Sequence, residues 1–220
     1  MSPVTSLPLV ASALRSPALG GWCQSARPDP LTELVAFPDF DSQFPDLLDT
    51  SLRHGRSVGL AIGDVDHLKE YVETANELDP RSFGHLAGNA LMRDLGHLTI
   101  GWLHRQHHLR AVAATFGGDE VIIAAEVGAA ETFHAQVTGL AALLSAELPR
   151  TVSFAMTVLT PAQLPSATPG ADLRRHLYFH LLATVDRCLF ATKRARAAGD
   201  HRPFVTTAVL AALPPVGSAA

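Results

Sequence analysis

The sequence predicts an α/β fold of the α+β kind, a ferredoxin-like βαββαβ arrangement with additional helices. One observation is a short, almost wholly apolar run over residues 58–62, which is typical of a buried central strand. Another is a pair of β-like runs that meet at the Gly-Gly-Asp-Glu stretch 117–120, which indicates a hairpin. Helical patterns also separate the first strand from the hairpin and the hairpin from the next strand. That order packs best as one antiparallel sheet with helices on its faces.

Local patterns predict the individual elements. Phe44 and Leu48 share one side of a helix predicted over residues 44–54. Asp41 or Ser42 is the expected N-cap of that helix. After the strand over 58–62, the predicted elements are helices over 66–76 and 86–107, strands over 110–116 and 121–126, a helix over 130–148, a strand over 151–159, a loop over 160–170, a helix over 173–197 and a last strand within 203–210.

Composition limits the class of protein. Of the 220 residues, 47% are hydrophobic and 17% charged, so the chain can build a sizeable core. The formal net charge of −4 argues against stable nucleic-acid binding, which a basic excess normally accompanies. Cys23 and Cys188 lie far apart, so we expect neither a disulfide framework nor a cysteine zinc site. No apolar run reaches the length of a membrane span, and we expect a cytoplasmic protein without membrane contact.

Proline, glycine and serine divide the chain into three parts. Residues 1–40 are rich in these types and lack sustained periodicity, which predicts a flexible N-terminal arm. Residues 41–212 form the predicted domain, and residues 213–220 form a tail.

Acidic residues stand where two predicted neighbouring strands end. Asp64 follows the first apolar strand, and Asp119 and Glu120 lie in the hairpin turn. In a βαββ sheet the first strand lies beside the hairpin, so we expect these carboxylates to converge at one edge. Hard oxygen ligands of this kind suit Mg²⁺ and in-line attack on phosphorus. Gly117 and Gly118 have no side chains, so their backbone can approach a triphosphate closely. Either motif alone is more simply a turn or a helix cap, but together they favour a site.

Four sequence blocks in this order resemble the GGDEF family of diguanylate cyclases. They are residues 63–69 (GDVDHLK), 83–89 (FGHLAGN), 116–121 (FGGDEV) and 185–193 (VDRCLFATK). The match covers roughly residues 58–204, most of the chain. The resemblance implies a GGDEF-type palm that joins two GTP molecules into cyclic di-GMP, with one GTP on each subunit of a homodimer.

The resemblance also implies a role for each matching residue. Asp64 and Asp119 would hold metal ions, Mg²⁺ or Mn²⁺, with help from the carbonyl oxygen of Val65. Glu120 would be a further metal ligand or would help to deprotonate the attacking 3′-hydroxyl group. Lysines would contact the triphosphate as point charges. The implied catalytic set is Asp119, Glu120 and Lys69. The implied nucleotide-binding set is Gly117, Gly118, Asn89, His85, Lys193 and Asn76.

Departures from the family pattern lie mostly around the base pocket. Val72 replaces the family's Asn, and an insertion over roughly residues 73–82 follows it. Asn76, within that insertion, is a candidate to compensate. Asn89 stands where the family reads the base with an Asp. On residue chemistry this predicts relaxed selectivity between GTP and ATP, because an amide cannot accept both guanine donors.

Two further departures concern phosphate binding and inhibition. Ala197 stands where a phosphate-binding Arg is usual, so Arg194 or Arg196 is the expected substitute. The two positions of the family's RxxD inhibitory motif fall on His108 and Ala111, so that motif is absent.

A weaker resemblance links residues 66–72, with the insertion after them, to the palm of the large CRISPR type III polymerase subunit. The function we favour from sequence is a Mg²⁺-dependent nucleotidyl cyclase that condenses two nucleoside triphosphates, with GTP preferred, into a cyclic dinucleotide such as cyclic di-GMP. One alternative is a CRISPR-polymerase-like cyclic nucleotide synthase that uses ATP or mixed nucleotides. The other is a degenerate GGDEF domain that binds a nucleotide or a partner without turnover.

Overall fold

The computed structural model describes residues 26–78, 86–106, 110–117, 119–163, 171–197 and 204–210, with residues 171–173 described by their backbone alone. The elements are β1 (Val35–Ala36), α1 (Phe37–Arg53), β2 (Ser57–Val65), α2 (Leu68–Leu78), α3 (Leu86–Arg105), β3 (Ala111–Gly117), β4 (Glu120–Val127), α4 (Ala130–Glu147), β5 (Val152–Leu159), α5 (Ala171–Ala197) and β6 (Val205–Thr207). A short 3₁₀ turn at Pro161–Gln163 follows β5.

Six strands form one sheet in the order β1-β3-β4-β2-β5-β6. The central strand β2 pairs antiparallel with both β4 and β5, and β3 pairs antiparallel with β4. The short edge strands β1 and β6 add in parallel to β3 and β5. This arrangement confirms the predicted α/β palm and places the hairpin directly beside the first long strand.

Close packing fixes β2, the strand that leads to the predicted metal ligands. Residues 58–63 of this strand are buried. Gly59 lets the ring of Phe133 lie against the sheet, and Gly63 does the same for the ring of Phe154. A Cβ atom at either glycine would collide with the ring, so the sequence here is dictated by packing.

The predicted N-cap of the first helix is wrong. α1 begins earlier than predicted, and its N-cap is Ala36, which makes no side-chain capping bond. Pro38 in the first turn has a φ suited to the helix and needs no N–H partner there. Asp41 and Ser42, the expected caps, therefore lie inside the helix.

The folded part also begins before the predicted arm ends at residue 40. Leu34, Val35 and Phe40 have no exposed surface, and Val35 pairs with β3 at the sheet edge. Asp29 shapes the approach to this strand, because its carboxylate accepts a hydrogen bond from the backbone N–H of Thr32 at 2.8 Å. Residues 26–40 thus pack as part of the domain, whereas residues 1–25 and the tail over 213–220 lie outside the described residues.

The second helix begins two positions later than the sequence predicts. The Asp66 N–H still donates to the carbonyl oxygen of Thr151 at 2.8 Å, which extends the end of β2 past its last ladder pair. His67 then adopts a φ of 57°, so regular helix can begin only at Leu68. The remaining predicted helices and strands occur with boundaries shifted by a few residues, while residues 164–170 of the predicted loop lie outside the described residues. No helix within the described ranges is both long and apolar enough to cross a membrane.

Candidate active site

The sheet brings Asp64, Asp119 and Glu120 together where β2 ends and β4 begins, at one end of the central strands. We call this group of carboxylates the acidic edge. Asp64 on β2 stands directly opposite Glu120 on β4 in the antiparallel ladder. Asp119 immediately precedes β4, and its carbonyl oxygen accepts the Val65 N–H at 3.2 Å. The hairpin turn is therefore bound to the end of β2, and its carboxylates face the same end of the sheet as that of Asp64.

A lysine from the last helix reaches into this edge. The Lys193 ammonium group donates hydrogen bonds to the Asp64 carboxylate and, at 3.1 Å, to the carbonyl oxygen of Val65. Its Nζ atom also lies 3.7 Å from Oδ1 of Asp66. The side chains of Lys193 and Asp64 are 26% and 23% exposed, so this ion pair is partly shielded from water.

A buried carboxylate behind the pair holds the neighbouring elements together. Asp66 accepts hydrogen bonds from the hydroxyl groups of Thr151 at 2.7 Å and of Ser153 at 2.9 Å. The Arg196 guanidinium lies 3.3 Å from the same carboxylate and also bonds Ser153. It stacks over the ring of Phe204 at 4.0 Å from the centroid. Sequence reasoning missed this network, although two polar residues at the start of an apolar strand were a signal for it.

The edge carries an excess of negative charge. Burial raises the pKa of the Asp64 carboxyl, and this effect outweighs the opposing one of Lys193. Burial is also the largest cause that raises the pKa of Glu120. The charges of Asp64, Asp119 and Asp186 raise that pKa further, while Lys193 lowers it. Asp186, on α5, thus adds negative charge near Glu120; sequence reasoning did not single it out, although the fourth matching block contains it.

This donor set fits a divalent cation of the magnesium type. Within the described ranges, no three His, Cys, Asp or Glu side chains form a ready-made metal centre. Magnesium does not need one, because it keeps several waters and uses one or two protein carboxylates together with substrate phosphates. The Lys193 ammonium already holds a positive charge against the Asp64 carboxylate and the Val65 carbonyl oxygen. The oxygen atoms of Asp64 and Val65 therefore attract a cation at the position where a metal ion is expected from the sequence.

Two other residues of the predicted site are Lys69 and Gly117, and within the described ranges neither forms a hydrogen bond or ion pair with a carboxylate of the acidic edge. The Lys69 side chain is 88% exposed on α2, with its ammonium group 3.8 Å from Glu73. Gly117 has a φ of 99° and nothing within 4 Å of the position where a Cβ would stand. Its backbone thus borders open space beside the acids. Gly118 and His85 lie outside the described residues.

The predicted base-pocket residues lie on α2 and α3. Asn89 is exposed near the start of α3, and Asn76 is half-buried on α2. Val72 packs against α3, since a Cβ at Gly88 would come within 3.2 Å of its Cγ2 atom. Val72 therefore places an apolar group between the two helices.

The two candidate substitutes for the missing phosphate-binding Arg are already engaged. Arg196 is held by Asp66 and Ser153, as described above. Arg194 lies on the exposed side of α5 with its guanidinium 5.6 Å from the ring centroid of Phe190.

The opposite end of the sheet has its own charged cluster. Arg110, just before β3, lies 3.4 Å from Glu126, and Arg56 lies 3.2 Å from the same carboxylate. The Ser51 hydroxyl group donates to Glu126 at 2.7 Å. Ala111 begins β3, and His108 lies outside the described residues. The arginines beside the expected inhibitory position are therefore paired internally.

Comparisons with known proteins agree with this geometry. No protein-family model and no curated protein matches the chain. Among solved structures, it is similar to the GGDEF domain of DgcB from Caulobacter crescentus in complex with c-di-GMP, with 21% identity, a TM-score of 0.60 and coverage of 82% of this chain and 92% of that one. A sensory box/GGDEF family protein from Caulobacter crescentus is 26% identical, with a TM-score of 0.55 and coverage of 79% and 100%.

A third similar structure is the diguanylate cyclase SiaD in complex with its activator SiaC, from Pseudomonas aeruginosa. It is 18% identical, with a TM-score of 0.58, and the match covers 82% of this chain and 61% of that one. Each of the three matches covers about four fifths of this chain. Together with the strand order and the position of the acidic hairpin, they show that this chain has the fold of GGDEF domains.

Proposed function

We propose that this chain is a nucleotidyl cyclase that condenses two nucleoside triphosphates, with GTP favoured, into a cyclic dinucleotide such as cyclic di-GMP. The observation that carries the proposal is the convergence of Asp64 and Glu120 across paired strands, with Lys193 against them. Phosphoryl transfer needs positive charge and little covalent chemistry from the protein. A cluster of carboxylates that favours a cation, beside open backbone, supplies the place for that charge.

The proposal includes a bound Mg²⁺ or Mn²⁺ ion. Asp64, Asp119, Glu120 and the carbonyl oxygen of Val65 are the groups that would hold it. When bound, such an ion neutralises charge that develops on the transferring phosphoryl group. Glu120, whose pKa is raised, also suits the role of accepting a proton from the attacking 3′-hydroxyl group.

Lysine and glycine residues complete the proposed triphosphate site. Lys193 stands at the acidic edge, where its ammonium group can serve as a point charge toward phosphate. Lys69 projects freely from α2, so it would reach the triphosphate only by turning away from Glu73. Gly117 leaves room for phosphate oxygens to approach the backbone.

The product class and the assembly are part of the same proposal. DgcB was solved with c-di-GMP, and SiaD is a diguanylate cyclase solved with an activator, which supports cyclic di-GMP as the product class. The described residues form one acidic edge in each chain, while the product contains two nucleotides. We therefore propose that a homodimer brings two such edges together.

Two residues, Val72 and Asn89, favour a different substrate or a domain without turnover. Val72 fills the space between α2 and α3 with an apolar group, and Asn89 offers an amide where an acid would read guanine. A synthase that uses ATP or mixed nucleotides would suit these two residues. A domain that binds nucleotide without turnover would tolerate them, but it would have no use for the paired carboxylates and Lys193.

Removal of single carboxylates tests the proposed function. Asp64→Asn and Asp119→Ala should each lower cyclic dinucleotide formation from GTP and Mg²⁺ by about 10²-fold or more, because each removes a charge that holds the metal. Glu131→Gln, at an exposed position at the start of α4, serves as the matched control and should keep wild-type activity. Circular dichroism checks the fold of each variant. Product formation at the wild-type rate in both site variants would refute the proposal.

A further inference from the structure

Lys193 occupies the oxygen groups that the proposed function assigns to a divalent cation. Its ammonium group bonds the Asp64 carboxylate and the Val65 carbonyl oxygen, and Asp66 lies 3.7 Å away. Two of these three groups belong to the proposed metal-binding set. An ammonium group and Mg²⁺ both seek hard oxygen atoms, and two cations cannot share one such pair without strong repulsion.

The helix that carries Lys193 is fixed, so the lysine side chain is the part that can move. Val185 and Leu189 are buried on the inner side of α5. Thr192, next to the lysine, is 1% exposed and lies 3.2 Å from the hydroxyl of Thr206 on β6. Arg196 ties the following turn to Asp66. The flexible four-carbon stem of Lys193 can therefore change direction while its backbone stays in place.

We propose that Lys193 is a built-in counter-cation that competes with the divalent metal for Asp64 and Val65. In the nucleotide-free protein its ammonium group holds the acidic edge together, because Asp64, Glu120 and Asp119 would otherwise face one another without a compensating charge. Metal binding displaces that ammonium group and frees it for the phosphate groups of a bound triphosphate. This inference rests on the proposed function only in its assignment of the metal ligands.

The competition has a consequence for metal affinity that does not involve catalysis. Without nucleotide, the wild-type protein must break the bonds of Lys193 before it can bind metal at Asp64. Removal of the ammonium group should therefore tighten metal binding by about tenfold or more, since a nearby positive charge is lost. It should also lower the melting temperature of the metal-free protein, and added metal should restore that temperature.

Electron paramagnetic resonance of Mn²⁺, titrated into the full chain without nucleotide, tests the competition. Lys193→Met removes the ammonium group and keeps most of the apolar stem. If this variant does not fold, Lys193→Gln is used in its place. Arg194→Met is the matched control, because it removes one positive charge from the adjacent, exposed position on the same helix. The double variant Asp64→Asn with Lys193→Met checks that the signal arises at this edge.

The expected result is a dissociation constant for Mn²⁺ lower by about tenfold in the Lys193 variant, unchanged in Arg194→Met and high again in the double variant. Equal or weaker binding in the Lys193 variant would overturn the inference. An equal gain in Arg194→Met would also overturn it, since net charge alone would then explain the effect. If either of these contrary results is obtained and the wild-type protein still forms product, the proposed function stands while this inference fails. The two proposals can therefore fail separately.

Discussion

Asp64 and Asp66 stand two positions apart in the sequence and have different surroundings. Asp66 is buried and is bonded by two hydroxyl groups and Arg196, so it serves the internal structure. Asp64 opens toward the hairpin and meets Lys193. Alternation along a strand does not separate these two residues, because positions two apart share a face. Their surroundings differ because Asp64 is the last-but-one residue of β2 and pairs with Glu120, whereas Asp66 lies just past the strand, among Thr151, Ser153 and Arg196.

The charge of Glu120 should cost stability at neutral pH. Its pKa is raised in the folded protein, so the unfolded chain releases this proton more readily and stability falls as the pH rises through the raised value. Glu120→Gln should therefore raise the free energy of unfolding by about 0.5–1 kcal/mol at about pH 7.5, after allowance for partial exposure.

Urea unfolding at two pH values measures this effect. At about pH 4, below the ordinary pKa of a glutamate, the charge that costs stability is largely lost in the folded and the unfolded chain, and the variant should lose its advantage. Glu131→Gln, on the exposed start of α4, is the control. An advantage of equal size at both pH values would contradict the electrostatic explanation.

If the proposed activity is present, Asn89 should set how strictly the protein distinguishes guanine from adenine. An amide offers one acceptor and can complement adenine, whereas a carboxylate accepts both guanine donors. Asn89→Asp should therefore raise the preference for GTP over ATP by about tenfold or more. The reason is that a binding site rejects a base that leaves one of the polar groups of the site or of the base without a hydrogen-bond partner. Competition between equal concentrations of the two triphosphates, analysed by mass spectrometry, gives the ratio. Exclusive cyclic di-GMP from the wild type, unchanged in the variant, would show that Asn89 does not read the base.

At the scale of elements, the segment before α1 is an unexpected part of the fold. Gly96 on α3 lies so close to this segment that a Cβ would overlap the carbonyl oxygen of Thr32. Gly96→Ala should therefore lower the free energy of unfolding by about 1–3 kcal/mol, because the backbone must shift. Gly139→Ala on α4 meets nothing within 4 Å and should raise it by about 0.5–1 kcal/mol. Thermal unfolding compares the two, and a Gly96→Ala protein as stable as the wild type would show that this segment does not pack on α3.

The long elements and the meeting of the two acidic motifs could be predicted from sequence because their signals are local. Periodicity marks each of these segments, and the hairpin determines which strand lies beside β2. The start of α1 could not be predicted, because it depends on the pairing of Val35 with β3 far along the chain. The network of Asp66 and the approach of Asp186 to Glu120 depend on where α5 lies against the sheet, and no local pattern records that position.

At the scale of the whole molecule, the sheet separates two charged ends. The acidic edge lies at the end of β2, where Asp64 meets the hairpin, and the Arg56–Glu126 pair lies at the other end. The arginines of that second end are paired internally, which fits the absence of the inhibitory motif. The part of each chain that the structure describes forms one acidic edge, while the proposed product contains two nucleotides, so the proposed activity depends on two copies.

Incubation of the purified full chain with GTP and Mg²⁺, followed by mass spectrometry of the products, tests the central claim most directly. ATP, CTP, UTP and an equal mixture of GTP and ATP are tested in parallel reactions. A cyclic dinucleotide should form, with one pyrophosphate released for each phosphodiester bond, and Asp64→Asn should form less of it by about 10²-fold or more. The absence of a cyclic product from all of these triphosphates, with the protein folded and Mg²⁺ or Mn²⁺ present, would contradict the account.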